Sequence, residues 1–174
     1  VCSSDLFLLR GLPFVDLAYL RKSDLRDNVI TYRRRKTGRP LSVTLTPEAL
    51  ELLKKYMNRD SHSPYLFSLL KSGEGTKEAY REYQLALRSF NQQLTLLGKV
   101  LGLNDRLSSY TARHTWATTA YYCEIHPGII SEAMGHSSIK VTETYLKPFR
   151  NKKIDEANNQ IIDFVKHSIA GVVA

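Results

Sequence analysis

Between Thr76 and Gly102 the apolar residues fall at steps of three and four: Tyr83, Leu87, Phe90, Leu94, Leu97 and Leu101. That rhythm places them on one stripe of a long α-helix. Such a stripe has to be covered, and packing onto a core is the expectation, rather than an oligomer seam. A chain of 174 residues is about one domain and can bury a proper core. The fold is therefore built around one long amphipathic helix.

Shorter elements surround it. Gly11 to Leu17 opens a helix with Pro13 in its first turn, and Phe14, Leu17, Ala18 and Leu20 give it an apolar face. Asn28 to Thr37 is strand-like through Val29, Thr31 and Tyr32. Gly38-Arg39-Pro40 reads as a turn, and Leu41, Val43 and Leu45 alternate along a returning strand. Thr46 and Pro47 start a helix as N-cap and first helical residue, and Leu50, Leu53 and Met57 continue it. His62 to Gly75 is a loop around the apolar Tyr65-Leu66-Phe67. Thr111 to Tyr122 reads as a buried helix, and Pro127 to Met134 as a short one stopped by Gly135. From Lys153 to Ile169 the residues Ile154, Ala157, Ile161, Val165 and Ile169 share a face, and Gly171 ends the segment. The fold class is α+β, mainly helical, with a small antiparallel β-sheet or hairpin.

The formal net charge is +8 and the pI about 9.5. An excess of that size suits a polyanionic partner, although a basic, unspecialised surface would look the same. No apolar run approaches the roughly 18 residues of a membrane span, and no secretory signal is visible. Cys2 and Cys123 make no disulfide framework, and the expected location is cytoplasmic.

The chemistry concentrates between Arg113 and Tyr145. The segments are Ala112-Arg113-His114-Thr115, Met134-Gly135-His136-Ser137-Ser138 and Val141-Thr142-Glu143-Thr144-Tyr145. A guanidinium matches phosphate oxygens, an imidazole can donate to developing negative charge, and a phenol can form a covalent intermediate. With no cofactor signature present, that set suits transesterification on a phosphodiester with the phenol as nucleophile. An unperturbed phenol ionises near a pH of about 10, so nearby positive charge has to favour the phenolate. His114, Cys123, His126 and His136 could be assembled into a metal set on paper. They match no standard zinc spacing, and His-Glu-x-x-His is missing, so no metal is expected.

These segments resemble the C-terminal signature of the tyrosine recombinases, the phage-integrase family of DNA strand-exchange enzymes. The pattern is His-x-x-Arg-His, then Leu-Gly-His-Ser-Ser, then a tyrosine nine residues beyond the Gly-His histidine. Arg113-His114, Gly135-His136-Ser137-Ser138 and Tyr145 match it in order and spacing, and the resemblance runs from about Phe7 to Phe149. It implies that Tyr145 attacks the scissile phosphate and forms a 3′-phosphotyrosyl link. Rejoining then needs neither ATP nor metal. Arg113 would clamp the non-bridging oxygens, and His136 would donate to the same phosphate or position the nucleophile. His114 would be a packed, hydrogen-bonded histidine. Lys36, in Arg33-Arg34-Arg35-Lys36-Thr37-Gly38 at the hairpin tip, would protonate the leaving 5′-oxygen. Arg33, Arg34, Arg35 and Arg39 would contact DNA phosphates.

Two positions depart from the pattern. The family's first arginine follows Gly-Leu, but here Gly11-Leu12 leads into Pro13, with Asp16 at the acidic place. Arg10 is the expected substitute and Arg21 the alternative. Arg10-Gly11-Leu12-Pro13-Phe14-Val15-Asp16 is similar to a branch of integrases from mobile elements of gut bacteria. Tyr110 stands where the histidine of His-x-x-Arg would be, and a phenol there can still donate a hydrogen bond to phosphate.

Residues 1–6 lack a helical rhythm, look like the translation of a common sequencing-adapter oligonucleotide, and are expected to be a foreign scar. Residues 7–150 would be a catalytic domain cut within its first helix, without the family's separate N-terminal DNA-binding domain. Residues 151–174 would be a helical tail that docks on a neighbouring protomer or on its own domain. The implied partners are double-stranded DNA and further copies of the chain, as a tetramer. The competing readings are a catalytically degraded DNA-binding domain of the same fold and an unrelated helix-turn-helix regulator.

Overall fold

The computed structural model describes residues 3–146 and 151–170, so the stop expected at Gly171 lies outside the described residues. In chain order the elements begin with α1 (Ser3–Leu8), α2 (Phe14–Tyr19) and a 3-10 turn at Lys22–Asp24. Three strands follow, β1 (Leu25–Arg26), β2 (Val29–Arg33) and β3 (Pro40–Thr44). The rest is helical: α3 (Pro47–Tyr56), α4 (Lys77–Val100), α5 (Thr111–Tyr122), α6 (Pro127–Ala133), α7 (Ile139–Glu143) and α8 (Asn151–Ala170). The strands form one antiparallel sheet in the order β1-β2-β3, with Ile30 opposite Val43 and Tyr32 opposite Leu41. Ile30 and Val43 face the core, while Thr31 and Ser42 share the outer face.

Local chemistry sets the helix starts. Thr46 Oγ1 accepts from Ala49 N–H at 3.3 Å with Pro47 in the first turn, and Thr76 Oγ1 accepts from Ala79 N–H at 3.1 Å. At α6 the capping acceptor is an imidazole, His126 Nδ1, 3.0 Å from Gly128 N. Gly135, at φ +63°, ends that helix, and His136 N–H reaches back to Ser131 O at 3.0 Å.

The core joins α1, α2, the sheet, α3 and α4, through Leu6, Leu12, Phe14, Leu17, Ile30, Val43, Leu53, Phe67, Phe90 and Leu94. A smaller cluster under α5 and α6 contains Ala117, Ile130 and Met134, with Trp116 and Tyr145 against it.

Several expectations change. The α4 stripe is core only as far as Leu94, where Phe90 packs on Phe14 of α2; Leu97 and Leu101 are 47% and 60% exposed. Pro13 precedes α2 as its N-cap instead of sitting in the first turn. α1 crosses the boundary drawn after residue 6, and Leu6 is fully buried in the core. β1 and α7 are too short to leave a periodic signature and were not foreseen.

One glycine carries the chain into the core. Arg10 and Gly11 are both left-handed, at φ 58° and 67°, and a Cβ on Gly11 would lie 2.9 Å from the Arg113 Cα. Gly38 is also left-handed, at φ 70°, but nothing lies near its missing Cβ. Gly11→Ala should therefore cost about 2–4 kcal/mol and Gly38→Ala about 1 kcal/mol, read as the shift in urea midpoints at constant slope.

Candidate active site

Arg113 is 1% exposed on the inner face of α5. A buried cation is tolerated only when its donors are satisfied. Nη1 donates to Gly11 O at 2.8 Å, and Nη2 donates to Met134 O at 2.8 Å and to His136 Nε2 at 2.8 Å. The left-handed turn at Gly11 and the end of α6 thus aim their carbonyls at one guanidinium. Its Nε has no hydrogen-bond partner. Burial, followed by the charge of Arg34, lowers the pKa of Arg113 from its ordinary value.

This network fixes the state of His136. A guanidinium can only donate, so Nε2 is the acceptor and carries no proton. Nδ1–H then donates to Thr142 Oγ1, 2.8 Å away on α7. Burial, with Arg113, Arg34 and Lys36 adding repulsion in that order, holds the imidazole down at about 4. His136 is thus a neutral acceptor here; of the two roles that the resemblance implied, donor to the phosphate or positioner of the nucleophile, the first needs the other tautomer. Thr142 can also donate, so the opposite tautomer, with a proton on Nε2, keeps the bond to Thr142 and gives up only the one from Arg113.

Tyr145 follows α7, its N–H bonded to Thr142 O at 2.9 Å. Its ring lies 5.3 Å from that of His136 and 4.4 Å from that of His114. Its hydroxyl is 2.8 Å from the hydroxyl of Tyr110. Burial and the Tyr110 hydrogen bond raise the pKa of the phenol, while Arg113 pulls it the other way. The positive charge near Tyr145 thus does not by itself lower its pKa. The His114 ring lies 5.3 Å from that of Tyr110, edge to face.

The structure thus gathers Arg113, His136, Tyr145 and Tyr110. Arg10 is not among them: its Nη1 donates to Ser42 O at 3.2 Å on β3, because the left-handed turn sends the side chain toward the sheet. Arg21 pairs with Glu74 at 2.7 Å. Lys36 is exposed in the β2–β3 turn. The turn is held against the histidine loop by Thr37 Oγ1, which donates to Gly135 O at 3.2 Å, and by Arg39 Nη2, 3.5 Å from Ser137 O. Arg33 Nη1 donates to Gly38 O, and Arg35 pairs with Glu74 while stacking on Tyr19. Arg34 differs most from the expected surface contact. Its side chain is buried, and Nη1 is paired with the fully buried Asp16 at 2.7 Å. Among the described residues no three of His, Cys, Asp or Glu converge as metal ligands, and no helix is long and apolar enough to cross a membrane.

Sequence reasoning missed Thr142 and the partnership of Asp16 with Arg34. Thr142 had a signal: it sits three residues before Tyr145, on the face that a helical turn there would share.

The His136 pKa has a consequence for stability. It lies at about 4 in the fold against 6.5 ordinarily, so the unfolded chain binds the extra proton first as pH falls. Stability should drop between pH 6.5 and 4, by up to about 3 kcal/mol from this group. His136→Gln should flatten that part of a plot of unfolding free energy against pH.

The Phage integrase family model matches residues 5–152. A tyrosine recombinase of Pseudothermotoga lettingae is 28% identical over 156 residues, covering 85% of this chain and 49% of that protein. The tyrosine recombinase XerC of Haemophilus ducreyi is 28% identical over 134 residues, covering 74% of this chain and 42% of that protein. The chain thus spans about half the length of these relatives. Among solved structures, XerA recombinase superposes with a TM-score of 0.61 at 22% identity, over 90% of this chain and 55% of that one. The Tn1549 transposon integrase, in complex with transposon right end DNA, gives 0.64 at 16% identity, over 92% and 58%. Both share its mainly helical fold with a small antiparallel sheet. A match of that extent, running through the core and the whole Arg113–Tyr145 site, makes this chain a member of the phage integrase family.

Proposed function

We propose that the chain is the catalytic part of a site-specific DNA recombinase, an integrase of a mobile element or phage, working in the cytoplasm. The observation that carries this reading is the convergence of the Tyr145 phenol, the buried Arg113 and His136. The Tyr145 oxygen attacks the scissile phosphorus and loses its proton to solvent. The bond to the 5′-oxygen breaks, a 3′-phosphotyrosyl link forms, and the 5′-oxygen takes a proton from Lys36. A 5′-hydroxyl from another strand then attacks the link and restores Tyr145. Arg113 balances the charge gained by the non-bridging oxygens. Once Arg113 turns to phosphate, Nε2 of His136 can carry the proton and donate as well. Tyr110 holds the nucleophile's hydroxyl before DNA arrives.

Double-stranded DNA is the substrate, which the net charge of +8 favours. The enzyme would work as a tetramer. Exposed Ile154, Ile161 and Val165 on α8 support a tail that docks on a neighbouring copy. The outward turn of Arg10 favours a second reading, a DNA-binding domain that no longer cleaves.

Covalent trapping on nicked duplex DNA separates the two. The wild-type chain should form an adduct that survives a denaturing gel, and Tyr145→Phe should bind DNA without forming one. A persistent adduct in the variant would falsify the assignment of Tyr145. Lys36 has its own test. A 5′-bridging phosphorothiolate leaves without a proton, so Lys36→Ala should be slow on ordinary DNA by roughly a hundredfold and close to wild type on the sulfur substrate. Equal slowing on both would make Lys36 a binding contact only.

A further inference from the structure

Arg35 and Lys36 are neighbours in the exposed β2–β3 turn, but only Arg35 is held by a carboxylate. Arg35 Nη1 bonds to Glu74 Oε1, and Arg21 Nη2 bonds to the other oxygen, Oε2, at 2.7 Å. We infer that Glu74 is an internal counterion that keeps Arg35 off the phosphates of nonspecific duplex DNA. The inference rests on the recombinase reading above and adds to it a restraint on where the chain binds.

The carboxylate is delivered by a braced loop. Glu74 lies between Gly73 and Gly75, and Gly75 is left-handed at φ 86°. Before it, Glu82 of α4 accepts from the Lys71 and Ser72 N–H groups at 2.7 and 3.1 Å and from Ser72 Oγ at 2.9 Å. Tyr65 Oη donates to Ser72 O at 2.7 Å. After it, Thr76 Oγ1 donates to Gly73 O at 2.7 Å and caps α4. A loop braced on both sides loses little further freedom when the carboxylate at its tip forms a pair.

Arg35 is pre-positioned in the same way. Its guanidinium carbon lies 3.8 Å from the centre of the Tyr19 ring, and its backbone N–H donates to Asp16 at 2.9 Å. The planar fork so presented matches a carboxylate or a phosphate equally. Arg35 first, and Arg21 next, hold the Glu74 carboxyl below its ordinary pKa, so it is charged at neutral pH.

The recombinase reading sets a scissile phosphate between Tyr145 and Lys36. Each DNA strand carries a phosphate about every 3.4 Å along the helix axis, so the next one falls beside the residue before Lys36. A phosphate there has to take Arg35 from Glu74. Because Arg21 binds the other oxygen, the carboxylate keeps a partner when Arg35 leaves. That exchange releases no salt ion, whereas an arginine without a carboxylate releases one on meeting a phosphate. Nonspecific binding is driven by such release, so the Glu74 pair weakens it.

The test measures binding of the 174-residue chain to a random-sequence duplex by fluorescence anisotropy across a salt series. Glu74→Gln should bind about fivefold more tightly at about 50 mM salt, and its plot of log affinity against log salt should steepen by about 0.9. Glu78→Gln removes an equal charge from the first turn of α4 and should keep the wild-type slope. Arg35→Gln should cost less than about twofold in the wild-type chain and cancel the gain of Glu74→Gln when the two are combined. Should Glu74→Gln fail to fold, judged by circular dichroism, Arg35→Gln alone decides: a loss of about fivefold or more shows that Arg35 was already on the DNA and rejects the restraint. An unchanged slope or weaker binding in Glu74→Gln, the same gain from Glu78→Gln, or a gain that survives Arg35→Gln overturns the inference and leaves the recombinase reading intact. Absence of duplex binding by the wild-type chain at low salt overturns both.

Discussion

The Arg113 guanidinium is the contact on which the site depends. It is almost fully buried, and its bonds reach the turn at Gly11, the end of α6 at Met134 and the ring of His136. Hydrogen bonds to a charged group each contribute about 1.5–3 kcal/mol, and an isolated buried cation would cost far more. Three segments distant in sequence are therefore held in register by one side chain. The left-handed turn at Arg10 and Gly11 exists to let the backbone approach it, at a distance no Cβ would permit.

A second buried charge fixes the hairpin. Asp16 on α2 binds the Arg34 side chain and the Arg35 N–H, and so ties the strand turn to the helix that opens the core. Gly135 completes the join from the other side, because Arg34 and Leu41 occupy the space a side chain would need. The hairpin and the histidine loop thus share one packed seam. Lys36 stands at the edge of that seam, exposed but on an anchored turn.

Much of this was legible in the sequence where the physics is local. The cap at Thr46, the stop at Gly135 and the alternation of Leu41, Val43 and Leu45 follow from short-range rules, and the helices and strands that were expected lie within a few residues of their bounds, unlike α1, β1 and α7. The spacing from Arg113 through His136 to Tyr145 also placed three side chains in one site. What failed was direction. Arg10 and Arg34 are equally basic in the sequence, yet a left-handed turn sends one out to Ser42 and a buried carboxylate draws the other in. No pattern of residue types encodes which way a guanidinium turns when its partner is distant in the chain. The same limit hid the protonation of His136, which is set by Arg113 on one ring nitrogen and Thr142 on the other.

α7 has five residues, so little of its position comes from its own hydrogen bonds. Thr142 does two jobs within it: the carbonyl holds the Tyr145 N–H, and the hydroxyl holds the His136 ring. A displacement of this turn cannot move the phenol and leave the imidazole undisturbed. Any step that withdraws the tyrosine also releases the ring nitrogen that fixes its neighbour's tautomer. The short helix thus works as a single rigid coupling, which brings both groups into register together or neither.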